Sequence, residues 1–170
     1  MKEQAAVSRA KAHLLLSALL LGLFLAPAVR AAQDETAGIL DSAESLFKAM
    51  QLKNYPEIWM GLSKTSHKII AEQVHKAMEK AGEAGYSVAL VEEEFSVGGP
   101  VARSYWDAYL DNLQVDYILE QSRWEIGFIK KDKAEICLLY RKAGNPARLK
   151  MLKERNQWKV GLMETFRGRN

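Results

Sequence analysis

The sequence predicts an α+β domain: N-terminal helices packed on a curved antiparallel sheet. Three observations predict it. Apolar residues recur at helical spacing up to about residue 120. After Trp124 the period changes to two, with Trp124, Ile126 and Phe128 alternating with Glu125 and Gly127. Short polar turn signals then separate successive alternating runs, which implies hairpins and a sheet with one apolar face. Helices and sheet must bury their apolar sides against each other.

The elements follow in order. Ile39, Leu40, Ala43, Leu46, Phe47 and Met50 form the apolar face of a first helix, ending near Lys53-Asn54. Pro56 suits the first turn of a short helix running to Leu62 and carrying Ile58 and Trp59. Ser66 is expected to cap a third helix, whose stripe is Ile69, Ile70, Val74, Ala77, Met78 and Ala81 and whose end is marked by Gly82 and Gly85. Residues 86–97, YSVALVEEEFSV, admit either a strand or a short helix, and Gly98-Gly99-Pro100 breaks the chain. Val101, Tyr105, Trp106, Tyr109, Leu110 and Leu113 then give a strongly aromatic helical face. Arg103, Asp107 and Asp111 lie off that face, four apart, as a solvated surface with a helix-stabilising pair.

Four strands are expected after that. The first opens on Trp124 and ends at the turn KKDK, residues 130–133. The second alternates Ala134, Ile136, Leu138 and Tyr140, and a loop around Gly144-Asn145-Pro146 leads to a third with Leu149, Met151 and Lys153. Asn156-Gln157 should turn the chain into the last strand, where Trp158, Val160, Leu162 and Glu164 share one face. In that phase Trp158 faces the helices as a core residue.

The N-terminus sets the expected compartment. Lys2, Arg9, Lys11 and His13 precede an apolar run, LLLSALLLGLFLAPAV, that is shorter than a spanning helix and interrupted by Pro27. This is signal-peptide architecture, with cleavage expected after Ala31 and Ala28 as second choice. An uncleaved anchor is the alternative. Residues 1–31 are therefore read as a signal peptide and 32–170 as one domain, periplasmic or secreted, with membrane contact only through the signal segment. No cysteine directly follows the run, so lipidation is not expected.

Charge then argues against a nucleic-acid partner. The chain has 24 Lys+Arg and 21 Asp+Glu. Removing the signal takes away Lys2, Arg9, Lys11, Arg30 and Glu3, which leaves the two in balance. Arg141, Lys142, Arg148, Lys150, Lys153, Arg155 and Lys159 read as the solvent face of the last hairpins. The only cysteine, Cys137, lies in AEICLLY and reads as a small buried hydrophobe. His67 reads as a satisfied boundary histidine and His75 lies on the polar side of its helix, eight residues on. That spacing does not make a metal pair, and neither a metal nor another cofactor is expected. Gly98-Gly99-Pro100 lacks the spacing and lysine of a phosphate loop.

The order of helix, Pro-led short helix, helix and then long antiparallel strands resembles the NTF2-like, or cystatin-like, cone-shaped domain. AESLFKAMQLKNYPEIWMGLS, residues 43–63, is similar to the family's opening, and LKERNQWKVGLMETF, residues 152–166, to its last hairpin. The resemblance implies an α+β cone with an interior, and covers most of residues 36–166. It does not imply one activity, because such cones serve isomerases, dehydratases, transport factors and binding modules. An isomerase-like cone would need a buried carboxylate base and neutral donors. Asp107 and Glu164 are the candidate bases, and Tyr55, Tyr105, Tyr109 and Tyr140 the candidate donors. None has a context that specifies an active site, so no catalytic residue is assigned. The expectation is a non-enzymatic domain binding a small apolar ligand or a protein partner. Tyr55, Trp59, Tyr105, Tyr109 and Trp124 are the ligand-binding candidates, expected to converge on one cavity. The alternatives are an isomerase- or dehydratase-like enzyme and a structural module forming a homodimer.

Overall fold

The structure is a computed structural model, and it describes residues 33–83, 85–140 and 146–166. The chain divides into two compact units, residues 1–37 and 38–170. Of the first unit only residues 33–37 are described, and they are helical. The signal segment lies outside the described residues, as do Arg141, Lys142, Gly144 and Asn145. No described helix is long and apolar enough to cross a membrane.

The second unit is α+β, with helices first and a four-stranded antiparallel sheet after them. Helix α1, residues 38–51, buries Ile39, Ala43, Leu46, Phe47 and Met50 on the face predicted. The Asn54 side chain caps α2 (Tyr55–Gly61) by accepting the Glu57 N–H, with Pro56 in the first turn. α3 (Lys64–Lys80) is capped by Ser63, not Ser66, which instead donates its N–H to the Ser63 hydroxyl. Its buried face stops at Ala71. Val74 and Met78 are half-buried, and Ala77 and Ala81 are exposed, so the apolar stripe outruns the core it was expected to cover.

Within residues 86–97, Val88–Val97 resolve as helix. α4 (Val88–Val97) is capped by Ser87 and buries Val91 and Phe95. It ends on Gly98 with φ 67°, a left-handed position that glycine tolerates without Cβ strain. A Cβ there would also stand 2.8 Å from Pro56 Cδ, so Gly98 lets the α4–α5 corner close on α2. α5 (Pro100–Leu110) follows, with Glu94 Oε2 accepting the Val101 N–H at its start. A further short helix, α6 (Val115–Gln121), leads directly into the sheet.

The sheet has the order β1-β2-β3-β4, from strands Ser122–Lys130, Lys133–Tyr140, Ala147–Glu154 and Gln157–Gly161. Ala134, Ile136, Leu138, Leu149, Met151, Trp158 and Val160 are buried on its inner face, as the alternation predicted. Two register features depart from simple alternation. A bulge between Ile126 and Phe128 shifts the phase, so Phe128 pairs with Glu135 and is 48% exposed rather than facing the helices. Gly127 permits this, since a Cβ there would approach Cys137 Sγ and Glu135 Oε1 to 3.1 Å. The β3–β4 turn is Arg155-Asn156, both at positive φ, which is the geometry of a two-residue type I′ hairpin, and Gln157 already belongs to the strand.

The chain also leaves the sheet earlier than alternation implied. After Gly161 it turns into α7 (Leu162–Phe166), so Leu162 and Glu164 are helical, not strand residues. Thr165 explains the stop: its hydroxyl donates to Gly161 O and accepts the Lys150 N–H, replacing a ladder bond. Cys137 is half-exposed opposite Glu125 on the outer face, not buried, because its strand position alternates with Ile136 and Leu138.

Candidate functional site

Residues from α1, α5, α6, β2, β3 and α7 surround a cavity of about 170 Å³ on the inner face of the sheet. Leu138 and Leu149 project from the strands by alternation, and Phe47 and Ile118 face them from the helix layer. Leu162 and Phe166 of α7 complete the wall, and Ala147 leaves the space that a larger side chain would fill. The polar side chains on the lining are Tyr109, Tyr140, Arg148 and Thr165. Thr165 is spent on the backbone, as described above. Arg148 Nη1 pairs with Glu135 Oε1 at 2.9 Å.

The two tyrosines differ from these. The Tyr109 and Tyr140 hydroxyls have no hydrogen-bond partner among the described residues. Burial is the first cause that pushes the Tyr109 phenol up to about 12, with Tyr105 nearby adding to it. Burial also raises Tyr140, whose ring stacks on Tyr117 at 5.5 Å. Both therefore stay neutral phenols through ordinary pH.

The five residues singled out in the sequence do not gather on one cavity. Tyr109 lines the one just described. Trp124 lines a separate open crevice with Leu40, Glu44 and Leu119, and its ring meets Phe47 edge-on at 5.5 Å. Its indole N–H donates to Ser122 Oγ and Ile118 O. Trp59 stacks on His67 at 4.0 Å and tilts against Phe95 at 4.7 Å. Tyr105 meets Phe95 and Trp106 edge-on at 5.3 and 5.0 Å. Trp59, Tyr105 and Tyr109 thus belong to one chain of ring contacts that runs through Phe95 and Trp106, which packs α2, α4 and α5 together. Within it the Trp106 indole N–H is fully buried and has no hydrogen-bond partner among the described residues. Tyr55 is tied to the outside of α5, donating to Asp107 Oδ1 at 2.9 Å.

Asp107 and Glu164, the candidate bases, both have structural partners. Asp107 accepts from Lys53 at 2.7 Å and from Tyr55 rather than pairing with Arg103, and these bonds hold its carboxyl below the usual range. Glu164, placed on α7 instead of a strand, points its carboxylate at α3. Ser63 Oγ donates to its Oε1 and Ser66 Oγ to its Oε2, both at 2.6 Å. The Met163 N–H donates to Ser66 Oγ in turn. Both serines are fully buried, so the pair forms an internal latch between α3 and α7. Sequence reasoning missed it because it took Glu164 for a strand residue.

His67 lies where expected. Its Nε2 is 2.6 Å from Trp59 O and its ring is half-buried, and burial lowers its pKa against the opposing effect of that carbonyl. His75 is 3.6 Å from Glu79. Among the described residues no group of three or more His, Cys, Asp or Glu side chains could hold a metal ion. No family model matches the chain, and neither a curated protein nor a solved structure does.

Proposed function

We propose that this chain is an exported, non-enzymatic binding domain of NTF2-like architecture that holds a small apolar ligand in the cavity on the inner face of its sheet. The observation that carries the reading is the cavity wall, in which aliphatic and aromatic side chains from helices and sheet surround about 170 Å³ of space. Apolar cavities of roughly 150 Å³ accept benzene-sized guests. Tyr109 is the member of the sequence-derived set that contributes to this wall. The apolar run before Ala31 supports export. The order of helices and then hairpins supports the NTF2-like reading. The serine grip on Glu164 speaks against that carboxylate as a free base.

The test is thermal unfolding with and without ethylbenzene. Ligand that binds only the folded state raises Tm by mass action. The parent should show a rise, and Ala147→Leu, which fills the cavity, should show none. An unchanged parent at saturating ethylbenzene would refute the reading.

A further inference from the structure

Given that binding reading, on which this step rests, we infer that the cavity takes a neutral ligand about the size of one substituted ring, carrying a hydrogen-bond acceptor served by the phenolic hydroxyls of Tyr109 and Tyr140. Arg148 is already neutralised by Glu135 and is largely solvent-exposed. Thr165 has both a donor and an acceptor role filled by backbone. Among the described residues no carboxylate lines the cavity. What remains is two phenols without a partner among the described residues.

That inventory selects against three ligand classes. An anion would enter an apolar space with no unpaired cation on its described wall, and burying an uncompensated charge is the costliest option. A cation would find no carboxylate. A pure hydrocarbon would fit by shape but would leave the two phenols unpaired once water is displaced from them. A carbonyl or ether oxygen accepts from a neutral phenol, and the raised titration of Tyr109 keeps the proton in place for it. The volume sets the size: about 170 Å³ is close to that of cavities that hold a single aromatic ring.

Three probes of matched shape separate these classes: acetophenone, ethylbenzene and benzoate, titrated into the purified full chain by calorimetry at pH 7. Acetophenone should bind about tenfold more tightly than ethylbenzene, and benzoate should bind more weakly than either. In the Tyr109→Phe, Tyr140→Phe double variant, ethylbenzene affinity should be retained while the acetophenone advantage falls to within about twofold. Retained ethylbenzene binding shows that the variant is folded with its cavity intact. Equal affinity for ethylbenzene and acetophenone in the parent would overturn the inference and leave the apolar-ligand reading standing. Tightest binding of benzoate, or an acetophenone preference that survives loss of both hydroxyls, would also overturn it. Binding of none of the three overturns both.

Discussion

Replacing Ser66 with alanine removes one atom that makes two contacts between α3 and α7. The hydroxyl donates to Glu164 Oε2 at 2.6 Å and accepts the Met163 N–H at 3.1 Å. A hydrogen bond to a charged group contributes about 1.5–3 kcal/mol, and an orphaned N–H costs about 1–3 kcal/mol when fully buried. Glu164 and Met163 are only half-buried, so water recovers part of each contact. The low ends of both ranges give a net loss of about 2–3 kcal/mol, a large share of the stability of a domain this size. Urea denaturation at pH 7 reads it directly, and with an m-value of roughly 1–3 kcal/mol/M the midpoint should fall by about 1 M or more. A double-mutant cycle with Glu164→Ala should give a coupling of at least about 1 kcal/mol. A Ser66→Ala protein within about 0.5 kcal/mol of the parent, or strict additivity with Glu164→Ala, would show that the latch contributes nothing.

Two further outcomes follow from burial. Trp158 is 8% exposed, with Lys153 Nζ 5.4 Å from its ring centroid, and Trp158→Ala should cost about 3–5 kcal/mol by equilibrium denaturation, more than the half-buried Trp124→Ala. His67 titrates below its unfolded value of about 6.5, so the unfolded chain binds the extra proton first, and its contribution is intact above that pH and falls as pH drops from there to the folded pKa. The stability of the parent relative to His67→Phe should decline across that window; a difference independent of pH between 7 and 5 would sink the assignment.

Helices and strands were legible wherever the apolar period was long and clean. α1, β2 and β3 kept their predicted faces because one side of each is buried along most of its length. Alternation failed at two places where local backbone chemistry overrode it. Gly127 admits the bulge that turns Phe128 outward, and the Thr165 hydroxyl substitutes for a ladder partner where β4 gives way to α7. Glu164 kept its apolar neighbours in sequence but changed element, so its partners became Ser63 and Ser66, about a hundred residues away in the chain. The aromatic residues were correctly read as inward-facing for Trp158 and Trp106. Their expected convergence on one cavity did not hold, since Trp59 and Tyr105 pack on Phe95 of α4, whose part the sequence pattern did not show, and Trp124 lies in a separate crevice. The cavity owes its space to the small Ala147 and to α7 closing one side, neither of which carries a sequence signal for a pocket.

An accessible apolar cavity lies between Leu138, Leu149 and Leu162. Xenon tests it with no assumption about ligand chemistry. Methyl NMR of the protein under xenon pressure should show saturable shifts confined to the methyls on the cavity wall, those three leucines with Leu113 and Ile118 foremost. Saturation without shifts at these methyls, or shifts spread evenly over the surface, would mean that the space is filled by side chains and would contradict the account.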